Sequence, residues 1–187
     1  MKKLVTLLVV IGMLVLCGPL FAVQTFIYPS EEKALFTIDF PDDWRIDLKD
    51  GVLTAVPKDD SIYWRLSVSE GEKDMQKSIE EAGRFIDEWI EGYKQKKEKP
   101  EEVEINGIKF LNFEGAGKDI DKDSRTFGKQ VDVDYFMFYP GKDVLGHIVS
   151  FASPEDWANH EKEMDAIIQS FKKADPKAEP KGEIKAK

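Results

Sequence analysis

Two dipeptides constrain this chain most. Asp50-Gly51 and Asn106-Gly107 each interrupt a pair of short runs with apolar residues at alternate positions. Asp-Gly and Asn-Gly accept the left-handed dihedrals of a two-residue turn, so each predicts a tight antiparallel hairpin. Before the first turn, Trp44, Ile46 and Leu48 share one face and Arg45 and Asp47 the other; residues 52–56 return. Before the second, Val103 and Ile105 lead in, and residues 108–114 return.

The same two-residue period recurs elsewhere. Phe36, Ile38 and Phe40 alternate with Thr37 and Asp39, and Pro41-Asp42-Asp43 makes a turn before Trp44. Ile62, Trp64, Leu66 and Val68 point inward, and Tyr63, Arg65 and Ser67 outward. Residues 131–139 and 144–151 form a hairpin across the sequence YPGKD.

Two segments change period. Met75, Ile79, Ala82, Ile86, Trp89 and Tyr93 are spaced by four and three, which predicts a helix over 73–97 that stops before Pro100. In SPEDW, Ser153 caps a second helix, Pro154 suits its first position, and Glu155 and Asp156 complement its dipole. Trp157, Met164, Ile167, Ile168 and Phe171 form its buried stripe. The expectation is an α+β fold: an antiparallel sheet of about seven strands with two main helices packed on it, in one domain over 36–173. Residues 115–129 read as a long loop or hairpin tip.

The ends differ in composition. Lys2 and Lys3 precede an uncharged, largely apolar run from Leu4 to Val23, the pattern of an export signal over 1–22 with cleavage between Ala22 and Val23. Two other routes fit the same residues. Cys17 follows Leu14-Val15-Leu16 as in a lipobox, although Leu16 is large for that motif, and ~20 apolar residues are enough to remain as an anchor. All three carry the rest out of the cytoplasm, to the periplasm or the exterior. Membrane contact then depends on lipidation or anchoring. Residues 23–35 read as an N-terminal extension. Residues 174–187 carry Pro, Lys, Glu and Ala with almost no large apolar side chain, and read as a disordered charged tail.

Cys17 is the sole cysteine, so a chain cut after Ala22 has no disulfide and relies on its core. The whole chain has 27 basic and 36 acidic residues; loss of Lys2 and Lys3 leaves 25 against 36, a net charge of about −11. Nucleic-acid binding is dominated by phosphate neutralisation, so charge and compartment both disfavour it.

The catalytic inventory is thin. His147 alternates with Leu145, Val149 and Phe151 and reads as a packed strand residue. HEKEM, from His160, opens like a zinc-protease helix, but Met164 stands where the second histidine ligand must be. There is no Gly-x-Ser-x-Gly elbow, and Ser170-Phe171-Lys172-Lys173 matches Ser-x-x-Lys without its companion motifs. Gly115-Ala116-Gly117 ends a strand without opening a helix and is no phosphate loop. Asp119, Asp121 and Asp123 have the spacing of the first ligands of a calcium loop, and are weak calcium candidates. Ser124 replaces the loop glycine, Gln130 replaces the final glutamate, and Lys118, Lys122 and Arg125 supply counter-charge. Asp132 and Asp134 share a strand face with Phe136 and Phe138; if that face is helix-covered lower down they sit at its open edge, and they read as structural or simply exposed residues. No catalytic residue and no cofactor is assigned.

FTIDFPDDWRI followed by a hairpin, and GHIVSFASPEDWANHEKEMDAIIQSFK near the end, resemble the PsbP/DcrB-like α/β-sandwich proteins over about residues 36–172. That group includes extrinsic subunits of photosystem II, bacterial periplasmic proteins and a nuclear Ran-binding protein. The resemblance implies an α/β/α sandwich and a non-enzymatic module that docks on a larger assembly, here an envelope protein partner. It carries over no partner-binding residue. Two other functions stand beside it. The aromatic content, with Trp44, Trp64, Trp89 and Trp157 in apolar stripes, suits a carrier of a small apolar ligand, which needs a pocket of ~300 Å³. A hydrolase without a recognisable motif is the third.

Overall fold

The computed structural model describes residues 22–71, 77, 80, 83–84 and 86–174. Two antiparallel sheets carry the fold. The smaller has the order β1 (Val23–Tyr28), β2 (Phe36–Pro41), β11 (Lys172–Lys173). The larger has eight strands: β3 (Arg45–Lys49), β4 (Val52–Val56), β5 (Ile62–Glu70), β6 (Ile90–Gln95), β7 (Glu101–Ile105), β8 (Ile108–Asp119), β9 (Gln130–Gly141) and β10 (Val144–Ala152). Their spatial order is β3-β4-β5-β10-β9-β8-β6, with β7 also paired to β8. Helix α1 (Pro154–Gln169) packs against β2, β9 and β10.

Alternation decides what is buried. Phe36, Ile38 and Phe40 of β2 and Met164, Ile167 and Ile168 of α1 meet Leu53, Trp64, Phe110, Phe138 and Ile148 on one face of the large sheet. Aromatic rings dominate this core: Phe171 lies 5.2–5.4 Å from Phe36, Phe110 and Phe138, centroid to centroid. The opposite face buries Val133, Tyr135, Met137, Leu145, Val149 and Phe151 with Ile86 and Ile90. Covering on both faces explains why β10 is buried along almost its whole length. It also corrects the outward assignment of Tyr63, which stacks on Trp89 and Phe151 at 5.0 and 5.2 Å.

The expected turns form. Asp50 and Gly51 have φ of 51° and 77°, and Asn106 and Gly107 of 49° and 76°. Ser153 Oγ accepts from the Asp156 amide at 3.2 Å, and Pro154 opens α1.

The expectation of about seven strands and two main helices is corrected. The sheets hold eight and three strands, and α1 is the main helix among the described residues. In the predicted 73–97 segment, Lys77, Glu80, Gly83, Arg84, Ile86 and Asp87 are helical. Glu88 and Trp89 then turn, and residues 90–95 become β6. Gly92 takes φ of 65°, which no α-helix contains. Two glycines of β8 make room for β6: a Cβ on Gly115 would sit 2.1 Å from the Tyr93 ring, and one on Gly117 would sit 2.3 Å from Ile90 Cγ2. The predicted loop from residue 115 begins late for the same reason, because Gly115–Asp119 completes β8.

Residues read as an extension supply β1, in register with β2 from Val23 opposite Pro41 to Tyr28 opposite Phe36. The Ala22 carbonyl accepts from the Asp42 amide at 3.1 Å. The signal segment to residue 21, Cys17 with it, and the tail from residue 175 lie outside the described residues. Among the described residues no helix is long and apolar enough to cross a membrane.

Candidate functional site

The face that α1 covers changes character along β8 and β9. Successive same-face rungs are Phe110 opposite Phe138, Asn112 opposite Phe136, Glu114 opposite Asp134, and Ala116 opposite Asp132. The first two are packed beneath α1 and Phe171; the last two run out from under it. The result is a cleft of about 380 Å³ between α1, β7, β8 and β9. Phe136, Met164, Ile168, Trp157 and Val103 give it an apolar floor, and carboxylates line its rim. This is where sequence reading placed Asp132 and Asp134, at the open edge of a helix-covered face.

Like charges directly opposite on a rung are destabilising. Lys97 Nζ sits 2.9 Å from Glu114 Oε1 and 3.1 Å from Glu101 Oε2, and Lys96 Nζ sits 2.9 Å from Asp132 Oδ1. The Asp134 carboxylate makes no hydrogen bond or ion pair among the described residues. Burial and then the neighbouring Glu114 charge push its pKa up to about 7, against a smaller opposing effect of Lys96. The amide oxygen of Asn112, one rung away, is buried without a hydrogen-bond partner.

A second polar cluster joins α1 to the loop before β5. Ser61 Oγ lies 2.9 Å from His160 Nε2, and His160 Nδ1 lies 2.9 Å from Glu163 Oε2. The Trp44 indole N–H donates to the same Glu163 oxygen at 3.3 Å. These distances match those of a Ser-His-Glu triad, but Asp59 also engages the serine hydroxyl. Ser61 has one hydroxyl hydrogen, and Asp59 Oδ1 takes it at 2.6 Å while also accepting the Ser61 amide at 3.1 Å. Ser61 is 3% exposed, and its own amide is spent on Asp59 and is no oxyanion donor. The cluster is a clip between α1, the loop before β5 and Trp44.

Of the calcium candidates, Asp121 and Asp123 line a cleft of about 510 Å³ together with Arg45 and Arg125, and Asp119 does not reach it. Asp119 is fully buried: Oδ2 accepts from Thr126 Oγ1 at 2.5 Å and Oδ1 from the Asp121 amide at 2.9 Å. Asp121 Oδ1 accepts from the Asp123 amide at 3.0 Å. The three brace the turn between β8 and β9. Among the described residues no group of three or more His, Cys, Asp or Glu is arranged to hold a metal ion. His147 is packed, its Nδ1 2.5 Å from the Tyr135 hydroxyl. A largely apolar cavity among the described residues, between Ile86, Phe113, Tyr135 and Met137, has about 160 Å³. Neither the Ser61–His160 contact nor the Glu114–Asp134 rung has a local sequence signal, since each depends on register between distant segments.

No family model and no curated protein matches the sequence. Solved structures do match in shape. Cyanobacterial PsbP (CyanoP) from Synechocystis is 12% identical with a TM-score of 0.53, covering 84% of this chain and 97% of its own. LpqN from Mycobacterium tuberculosis, described as involved in cell envelope biogenesis, is 14% identical with a TM-score of 0.55, covering 80% of this chain and 90% of its own. The chain has the PsbP-like fold.

Proposed function

We propose that this chain is an exported, non-enzymatic binding module of the cell envelope, and that it docks on another protein through the cleft beside α1. The observation that carries this reading is the Glu114–Asp134 rung: a cross-strand pair of carboxylates, one of them unpaired, above an apolar floor. Such a pair costs stability in the free protein and is relieved by a partner. The lysine-led apolar N-terminus supports export, and the envelope setting named for LpqN agrees with it. Ser61 is 3% exposed and engages Asp59 as well as His160, which weighs against the hydrolase reading. An apolar carrier needs ~300 Å³ of apolar pocket; the cleft reaches about 380 Å³ but six carboxylates line it, and the cavity beside Tyr135 and Met137 has about 160 Å³.

The test is affinity isolation from envelope extract with the tagged protein, comparing wild type, Asp134→Asn, Trp157→Ala and the remote control Asp47→Asn. A protein held by wild type and Asp47→Asn but lost with both cleft variants is the expected result. A recovered set indifferent to the cleft variants overturns the reading.

A further inference from the structure

We propose that the occupant of this cleft is a basic, partly apolar segment of the partner protein, with a lysine or arginine stem laid on Trp157 and Val103 and its cationic head against Asp134. The inference rests on the cleft being the docking surface and goes on to name the chemistry it selects.

Charge complementarity is the first ground. Glu101, Glu114, Asp132, Asp134, Glu161 and Asp165 line the cleft, and Lys96 is the one cation among the lining residues. The two nearby lysines are already engaged, Lys96 with Asp132 and Lys97 with Glu114 and Glu101. Asp134 therefore faces the cleft with no cation of its own, opposite Glu114.

The floor decides between kinds of cation. A metal ion would meet the carboxylates and leave the half-buried Trp157 and Val103 uncovered. Lysine and arginine side chains lay a hydrocarbon stem on apolar surface and keep the charge at its edge. Trp157 adds an aromatic face for such a charge. At about 380 Å³ the cleft suits a few side chains of an extended segment, not a folded surface.

Calorimetric titration of the full chain tests this with a capped six-residue peptide of alternating lysine and leucine. The same peptide with glutamate for lysine, and spermidine, are the comparisons. The lysine peptide should bind and the glutamate peptide should not. Asp134→Asn and Glu161→Gln should each weaken binding about fivefold, a typical loss for one partly screened charge contact, and Asp47→Asn should leave it unchanged. Both cleft changes remove charge without changing size, so loss of folding does not confuse the result. Equal binding of the glutamate peptide, equal effects of Asp134→Asn and Asp47→Asn, or spermidine binding as tightly as the peptide overturns the proposal. If the peptide fails while cleft variants still lose their envelope partner, the occupant is misassigned and the docking reading stands. If both fail, the cleft is not the docking surface.

Discussion

The Ser61 hydroxyl lies 2.9 Å from His160 Nε2, although 99 residues separate them in the chain. The contact ties the loop before β5 to the middle of α1, and Glu163 extends it to the Trp44 indole. Each link satisfies a polar group that would otherwise be buried alone, so the cluster works as a fastening between helix and sheet.

Ser61→Ala removes one fastening and should lower stability in urea by about 1–2 kcal/mol, the usual cost of leaving buried partners unmatched. Hydrolysis of a p-nitrophenyl ester should stay at background for both wild type and variant. Ester turnover that disappears in Ser61→Ala would show that the cluster is catalytic.

Asp134 gives stability an unusual pH slope. Its folded pKa is raised from 3.8 to about 7, so the folded state holds a proton that the unfolded state has already released. That contribution is complete below the unfolded value and is lost as pH rises through about 7. Asp134→Asn should therefore match wild type near pH 3.5 and be the more stable by about 2 kcal/mol at pH 8, a figure reduced for the cleft's openness to solvent. Thermal melts across pH check this. Ionisation also favours a bound cation, so the lysine peptide should bind more tightly at pH 8 than at pH 6.

The closeness of β6 to β8 is tested at Gly115. A Cβ there meets the Tyr93 ring at 2.1–2.6 Å, so Gly115→Ala should cost about 2 kcal/mol in chemical denaturation through forced displacement of the ring. Adding Tyr93→Ala should recover part of that loss, because the obstruction is side chain. At Gly117 the neighbours include the Glu91 carbonyl oxygen at 3.1 Å and Tyr93 Cα at 3.2 Å, so Gly117→Ala should gain less from the same second change.

Asp119 is a brace, with both carboxylate oxygens accepting hydrogen bonds inside the turn between β8 and β9. Asp119→Ala should cost about 2–3 kcal/mol by stranding the Thr126 hydroxyl and the Asp121 amide. Millimolar calcium should leave the wild-type melting temperature unchanged. A rise in that temperature that depends on calcium and is abolished in Asp121→Asn would restore the metal reading.

Much of the fold was legible because side chains facing a core repeat with the period of their element. Phe36, Ile38 and Phe40, the two Asx-Gly turns and the Ser153 cap all appear as expected. Asn106 does more than its turn requires: its side-chain amide donates to the Gln169 and Phe171 carbonyls at 3.1 and 2.7 Å, closing the end of α1. The predicted helix over 73–97 ran too far because Ile86, Trp89 and Tyr93 keep helical spacing. Within β6 a register shift between Glu91 and Lys94 brings Tyr93 to the same packed cluster as Ile90, so Tyr93 is covered although the chain has become strand. Gly92 was the signal that separates helix from strand. Two strands escaped because they have little pattern of their own: β1 takes its order from β2, and β11 is two residues long. The site was half visible. Asp132 and Asp134 stood out as acids on an aromatic face, but Glu114 joins them only through the β8–β9 register, and the helix residues Glu161 and Asp165 only through packing.

The most direct measurement is photo-cross-linking in the native cell, with a benzophenone side chain placed in turn at Glu161 on the cleft rim and at Asp47 on β3. A single partner should be trapped from position 161 and nothing from position 47. Trapping of the same partner from position 47 alone, or no product from 161, would contradict the cleft as the binding surface.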